Sequence, residues 1–248
     1  MGVVMIGCDI GQVVDPTAIV IAEPVERPTG KKIERNRVAV GAGFSLDIED
    51  EIATYYLVRH LERLPLGTAY PEVARHLAEL VGTLRMRQDE EDATPPPWAR
   101  KVRVFADATG VGRPVVDLLR SALRGVRNVS LTAVSITGTD HREGGFGSHE
   151  IRVGKAYLTS RLQALLQTHR IKLPETEAAQ ALADELRDFE IRVSDRGTFG
   201  AGARPGHHDD LVIALALATL EEPRLARIRR GRSPWTGRLP KDRKEVTS

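Results

Sequence analysis

The feature that most constrains this chain is a pair of adjacent acids, Asp209 and Asp210, at the start of an apolar run, residues 211–220. The run is rich in Ala and Leu, which favour a helix, and it is apolar on every side. Such a helix is normally enclosed by protein, so its first turn carries two carboxylates to the edge of a core, where unpaired charge is costly. A divalent cation would compensate them. Alternatively, Asp209 caps the helix and Asp210 interacts with the positive end of its dipole.

The composition suits one large soluble domain or a domain with appendages, because 41% of the 248 residues are hydrophobic and 28% are charged. The single cysteine, Cys8, excludes a disulfide framework and a cysteine-based zinc cluster, so we expect a reducing compartment. No apolar run approaches about 20 residues and the first ten residues lack a basic leader, so the sequence predicts no membrane span and no signal peptide.

Positive charge is concentrated at the end of the chain. Residues 224–248 contain nine Lys or Arg and two Asp or Glu, a formal +7, which leaves −5 for the other residues out of a total of +2. With Pro, Gly and Ser among its basic residues, this segment is predicted to be a flexible tail that attracts polyanions. The alternative is a solvated terminus without a partner.

Two further acids each follow a predicted strand. The apolar run at residues 3–8 ends at Asp9, and the strand predicted at residues 102–106 ends at Asp107. A parallel pairing of these strands would bring Asp9, Asp107 and the Asp209–Asp210 pair to one edge of the sheet. Several carboxylates cannot remain ionised there without cations. Oxygen ligands suit Mg²⁺ or Mn²⁺, and two such ions about 4 Å apart are the usual device for phosphodiester hydrolysis.

Strands followed by alternating strands and helices predict an α/β sheet with a mixed edge. The region from 55 to 64 is ambiguous, the acidic and proline-rich segment 89–97 is expected to be an exposed connection, and the region flanking 194–197 resembles a β-hairpin. Strands are predicted at 3–11, 17–22, 37–44, 102–106 and 129–136, and helices at 70–87, 113–123, 153–169 and 175–187.

Three segments together resemble the acidic motifs of the nuclease domain of phage large terminases: Gly7-Cys8-Asp9-Ile10-Gly11, residues 104–112 around Asp107, and residues 208–214 around Asp209 and Asp210. The similarity extends over about residues 1–222. It implies an RNase H-like fold, shared with Holliday-junction resolvases, in which a mixed five-stranded sheet has helices on both faces and a β-hairpin near the active site. The basic residues 223–248 would follow this domain as a tail.

The resemblance also implies a function. The family's enzymes are endonucleases that cut concatemeric viral DNA during genome packaging, and here two Mg²⁺ or Mn²⁺ ions would be bound by Asp9, Asp107 and the Asp209–Asp210 pair. The expected partners are double-stranded DNA, a packaging ATPase, a small terminase subunit and a portal protein, in the cytoplasm of the host cell. This sequence has no Gly-x-x-x-x-Gly-Lys-Ser/Thr phosphate loop, so we expect the ATPase on another chain or separated from this one.

Three residues near these motifs have weaker indications. Lys155 follows a Gly-rich loop at a predicted helix start, where it could neutralise a phosphate, although an exposed lysine is commoner. His207 precedes Asp210 by three residues and could support it from the same helix face, or it could simply cap the helix. Cys8 is interpreted as a small core residue.

Two other functional classes compete with the nuclease. Asp9-Ile10-Gly11 with Thr17, together with residues 106–110, resembles the phosphate loops of the sugar kinase and actin ATPase fold, but that fold gives no role to Asp209 and Asp210. A noncatalytic DNA-binding module would use the basic tail but leaves the buried acids without a reason.

Overall fold

A computed structural model describes residues 3–11, 15–40, 43–91, 101–144, 147–193, 199–203 and 208–222, with side chains except at 35–40, 43–47, 85–91, 190–193 and 199–203. The strands are β1 (Val3–Asp9), β2 (Ala18–Val40), β3 (Gly43–Arg63), β4 (Lys101–Asp107), β5 (Val129–Thr137), β6 (Arg142–Glu143), β7 (Glu150–Gly154), β8 (Ile171–Lys172), β9 (Phe189–Val193) and β10 (Phe199–Ala203). The helices are α1 (Tyr70–Glu91), α2 (Gly112–Ala122), α3 (Lys155–Gln167), α4 (Glu177–Asp188) and α5 (Asp210–Ala218).

The described strands form one large mixed sheet and one small hairpin. The large sheet has the order β6-β7-β5-β4-β1-β2-β3-β8, and the hairpin pairs β9 with β10. β1 is parallel to β4 and antiparallel to β2, and β5 is parallel to β4. The predicted mixed α/β sheet and the hairpin are confirmed. The sheet is larger than the five predicted strands, because β6, β7 and β8 are added to β1–β5.

Helices cover both faces of this sheet, and successive residues of the central strands alternate between two cores. Met5 and Phe105 pack with residues of α3, α4 and α5 on one face. Ile6 and Val104 pack with residues of α1 and α2 on the other face. The apolar run of β1 predicted a central strand that is buried on both faces, and the structure confirms this prediction.

The second strand is much longer than the one predicted at 17–22, and the separate strand predicted at 37–44 is wrong, because residues 37–40 belong to β2 and residues 43–44 to β3. The register between β2 and β1 ends at Ala22, and Pro24 and Pro28 follow beyond it. Proline has no backbone N–H, so a strand tolerates it at a position that donates no hydrogen bond to a neighbouring strand. The ambiguous region from 55 to 64 belongs to β3 up to Arg63.

The chain divides into two compact units. One consists of Met1–Val25 and Thr54–Leu225, and the other includes Glu26–Ala53, the far part of the β2 and β3 pair. Within that second unit the hydroxyl of Thr29 donates a hydrogen bond of 2.7 Å to the Glu51 carboxylate. All the predicted site residues that the structure describes belong to the first unit.

The prediction of an exposed connection at 89–97 is partly wrong, because α1 continues through Glu91. Acidic residues are acceptable helix formers, and Pro95 restricts only the residue immediately before it. Residues 92–97 and 223–248 lie outside the described residues, so the rest of the connection, the domain boundary after 222 and the basic tail stay predictions. None of the helices in the described ranges is both long and apolar enough to cross a membrane.

Close contact between β1 and α5 depends on the absence of a side chain at Gly7. A Cβ there would overlap the carbonyl oxygen of Ala214 and lie 2.5 Å from the backbone nitrogen of Ala218. Backbone atoms of a buried helix cannot yield as a flexible side chain can. The helix that carries Asp210 is thus seated directly against the strand that ends at Asp9.

We therefore expect Gly7→Ala to destabilise the fold by about 3 kcal/mol, the upper end of the usual effect of overpacking. Urea denaturation of the metal-free protein measures this change. The matched control is Gly82→Ala, because Gly82 lies in α1 with open space around its Cβ position and should be neutral or slightly stabilised. Equal stability of the two variants would contradict the close packing of α5 on β1.

Candidate active site

Asp9 and Asp107 lie side by side in the sheet, each as the last residue of its strand. The parallel register pairs Cys8 of β1 with Ala106 of β4, so the two acids come next on adjacent strands. The predicted parallel pairing of these strands is confirmed. Carboxyl ends of parallel strands are the usual position of a binding site in an α/β sheet.

A short turn after β4 positions Asp107. The backbone N–H of Thr109 donates a 2.7 Å hydrogen bond to Asp107 Oδ1. The hydroxyl oxygen of Thr109 in turn accepts a 2.7 Å hydrogen bond from the backbone N–H of Ile136 on β5. Thr109 therefore connects the orientation of the carboxylate to the neighbouring strand, a contribution that the sequence alone did not reveal.

The two adjacent acids occupy different environments at the start of α5. Asp209 is the N-cap residue, but its side chain makes no capping hydrogen bond and is 32% exposed. Asp210 is the first helical residue and is only 2% exposed. The structure therefore places Asp210 inside the protein and Asp209 partly at its surface.

The pKa values of two acids show that negative charge accumulates at this edge. Burial raises the pKa of Asp9 well above its ordinary value, and the charges of Asp107, Asp209 and Asp210 raise it further. Burial also raises the pKa of Asp107, against the opposing effects of hydrogen bonding from Thr109 and the positive charge of Lys155. Asp9 thus interacts electrostatically with the other three predicted acids, and both strand-end acids resist ionisation.

Arg63 and Glu185 surround Asp210, and sequence reasoning missed both. Arg63 Nε donates to Asp210 Oδ2 at 2.5 Å, and the Arg63 guanidinium also pairs with the buried Glu185 carboxylate. Glu185 accepts a 3.3 Å hydrogen bond from the backbone N–H of Val212. The sequence offered a divalent cation or the helix dipole as compensation for the acids, and the structure adds a third partner, because an arginine from β3 contacts one oxygen of Asp210.

Lys155 is the first residue of α3, and its Nζ lies 3.4 Å from Asp209 Oδ2. It also acts electrostatically on Asp107, so this lysine lies beside the acids, while its predicted contact with a phosphate stays a prediction. His207 lies outside the described residues. Its neighbour His208 lies near the site, with Nδ1 3.5 Å from Asp15 and 3.8 Å from Asp210 Oδ1.

Among the described residues, no three His, Cys, Asp or Glu side chains are grouped closely enough to hold one metal ion. One oxygen of the four acids, Asp210 Oδ1, is nevertheless buried and has no hydrogen-bond partner within the part of the chain that the structure describes. A buried carboxylate oxygen of this kind is costly unless it contacts a donor or a cation. The cluster thus offers a buried, electron-rich oxygen at the carboxyl ends of the strands, which can bind a hard cation.

These observations define an α/β domain of the RNase H-like class, with acids at the ends of two central parallel strands and at the start of a buried helix. The sequence profile described as the terminase RNaseH-like domain matches residues 41–222. The chain therefore belongs to the terminase RNase H-like domain family. No curated protein sequence gives a significant match.

Solved structures of terminase nucleases share the fold. The large terminase nuclease of the thermophilic phage G20c with bound magnesium has 21% identity and a TM-score of 0.50, covering 88% of this chain and 80% of that one. The human cytomegalovirus terminase nuclease domain has 12% identity and a TM-score of 0.50, covering 88% and 82%. Family membership and this shared fold support a terminase nuclease role.

Proposed function

We propose that this protein is a metal-dependent endonuclease that cuts concatemeric viral DNA during genome packaging. The observation that supports the proposal is geometric: Asp9 and Asp107 end adjacent parallel strands, and Asp209 and Asp210 begin the helix that packs directly on β1. Buried acids that repel one another cost stability, so a fold retains them where they serve a function. Membership of the terminase family makes DNA cleavage the function that fits.

The acids fit Mg²⁺ or Mn²⁺ in charge and in chemistry. Carboxylate oxygens are the ligands that these hard cations prefer, and the unpartnered Oδ1 of Asp210 supplies one inside the protein. Like charges keep the carboxylates apart, whereas a shared cation would draw their oxygens together. The relative from phage G20c was solved with bound magnesium. We infer that Asp9, Asp107 and the Asp209–Asp210 pair hold two such ions.

Bound to this site, two divalent ions would supply an activated water and neutralise the charge that develops on the leaving oxygen. The chain's own residues provide the placement. Thr109 orients Asp107 through its backbone N–H, and the rigid contact of α5 with Gly7 sets the position of Asp210. Lys155, 3.4 Å from Asp209, places a positive charge where a phosphodiester would approach the acids.

The substrate we propose is double-stranded DNA, held in place by partner proteins. A packaging ATPase, a small terminase subunit and a portal protein would restrict cutting in the cytoplasm of the infected cell, so the isolated chain should show little sequence preference. We propose the basic tail as the source of additional, nonspecific phosphate contacts, because nine of its residues are Lys or Arg.

Deletion of residues 224–248 should weaken DNA binding and flatten its salt dependence, since the slope of log K against log salt falls by about 0.9 for each phosphate that the protein no longer neutralises. Fluorescence anisotropy of a short duplex in Ca²⁺, titrated at salt concentrations from about 50 to about 200 mM, gives both quantities. Mn²⁺ affinity without DNA serves as the control and should not change. Identical salt slopes with and without the tail would exclude it from the DNA interface.

The proposed function is tested by incubating the purified chain with supercoiled plasmid. We expect nicked and linear products with Mg²⁺ or Mn²⁺, none with EDTA, and none from a folded Asp9→Asn variant. ATP should have no effect on the reaction. DNA binding without cleavage under all metal conditions would favour a noncatalytic module, and ATP hydrolysis without cleavage would favour the kinase and actin class.

A further inference from the structure

We propose that Arg63 and Glu185 form a positioning pair that presents Asp210 to a divalent cation through one oxygen, Oδ1. The inference rests on the proposed function, since it concerns how the same site binds its metal. It assigns a role to two charged residues outside the acidic motifs, the partly exposed Arg63 and the buried Glu185.

Arg63 is the last residue of β3 and reaches two acids at once. Its Nε donates to Asp210 Oδ2 at 2.5 Å, and its terminal nitrogen pairs with Glu185 Oε1. A guanidinium is planar and presents its donors in a fixed fork, whereas a lysine ammonium is a single point charge. The bridge therefore fixes both the position and the plane of the Asp210 carboxylate.

Glu185 fixes the other end of this bridge. It lies on α4 and is 8% exposed, and its Oε2 accepts a 3.3 Å hydrogen bond from the backbone N–H of Val212. Val212 belongs to the first turn of α5, where backbone N–H groups have no partner within the helix. Glu185 thus anchors the start of α5 while it holds Arg63, so β3, α4 and α5 meet at Asp210.

The two oxygens of Asp210 consequently differ. Oδ2 accepts a hydrogen bond from Arg63, whereas Oδ1 is buried and has no hydrogen-bond partner among the residues that the structure describes. His208 Nδ1 lies 3.8 Å from Oδ1, which is too far for a hydrogen bond. Oδ1 is therefore the oxygen most open to a cation, because Oδ2 already accepts from Arg63, and we infer that Asp210 binds a metal through Oδ1 in a direction that Arg63 sets.

The decisive experiment measures Mn²⁺ binding to the protein without DNA, from the electron paramagnetic resonance signal of free Mn²⁺. Arg63→Lys keeps the charge but loses the fork, so we expect the Kd for Mn²⁺ to rise about 10-fold or more, the usual effect of removing a group that orients a ligand. The matched control is Arg59→Gln. Arg59 lies on the same strand, is 57% exposed and pairs with Glu23 at 2.6 Å, so its loss should leave the Kd unchanged.

A wild-type Kd in folded Arg63→Lys would overturn the inference, as would an equal loss in Arg59→Gln. If Arg63→Lys fails to fold, the double variant Arg63→Gln/Glu185→Gln, which leaves no unpaired charge at these two positions, carries the same expectation. If the wild type cleaves DNA with metal but these variants bind Mn²⁺ as tightly as the wild type does, the positioning role is rejected and the proposed function stands. Absence of Mn²⁺ binding and of cleavage in the wild type would reject the proposed function and this inference with it.

Discussion

Asp107→Asn should abolish metal-dependent cleavage and leave the fold intact. The substitution keeps the shape of the side chain and its hydrogen bond from Thr109, but removes one of the charges that bind metal. We expect a loss of at least about 1,000-fold in rate, which corresponds to about 4 kcal/mol of transition-state stabilisation. Plasmid nicking measured under single-turnover conditions with saturating Mg²⁺ gives the ratio. Undiminished cleavage by the folded variant would remove Asp107 from the site.

The same substitution should raise the thermal stability of the metal-free protein. The folded-state pKa values of Asp9 and Asp107 are raised above 3.8, so the folded protein binds these protons more tightly than the unfolded chain. Stability from these groups is therefore fully present below pH 3.8 and is lost as the pH rises through the raised values. Relief of about 1 kcal/mol corresponds to about 2–4 °C in Tm. The advantage of Asp107→Asn should grow with pH across this window and disappear when Mg²⁺ is added.

Asp210→Asn should lose essentially all cleavage, whereas Asp209→Asn should retain measurable activity, particularly with Mn²⁺. Asp210 is 2% exposed and is oriented by Arg63, whereas Asp209 is partly exposed at the N-cap beside Lys155. A buried, oriented carboxylate suits the principal ligand, and an exposed one suits a second ligand or an outer position. Mn²⁺ tolerates imperfect oxygen ligation better than Mg²⁺, so it should rescue only the milder variant.

Matched Mg²⁺ and Mn²⁺ titrations of cleavage by the two variants decide between them. The expected pattern is rescue of Asp209→Asn at high Mn²⁺ and no rescue of Asp210→Asn at any concentration. Circular dichroism of both metal-free proteins controls for folding, because Asp210→Asn also leaves Arg63 with Glu185 as its remaining carboxylate partner. The reverse ranking of the two variants would transfer the principal ligand role to Asp209.

The sequence predicted the central fold because its signals are local and strong. A continuous apolar run marks β1 as buried on both faces, and Asp9 and Asp107 end their strands as expected. The length of β2 and β3 was not predictable from local patterns. Pairing between the two strands stabilises them in spite of Pro24 and Pro28, which disfavour a strand locally. The sequence prediction ended α1 too early. It extended the helix-breaking effect of the prolines too far back along the chain.

The candidate site was predictable only where an acid follows a recognisable element. Arg63 lies 147 residues from Asp210 in the chain and ends a strand of ambiguous pattern, so nothing local connects the two. Glu185 occupies an amphipathic helix in which a glutamate is ordinarily exposed, although here it is buried. Because α5 is apolar on all sides, its sequence does not indicate which helix face points into the core. Packing against Gly7 was needed to show that Asp210 faces inward.

Anomalous diffraction from crystals soaked in Mn²⁺ tests the central claim most directly, because it locates the ions without reference to activity. We expect two peaks at the sheet edge, with Asp9, Asp107 and Asp210 Oδ1 at oxygen–metal distances of about 2.0–2.3 Å. Asp107→Asn crystals, soaked in parallel, should lose at least one of the peaks. Peaks elsewhere on the protein, with none within reach of Asp9 and Asp107, would contradict it.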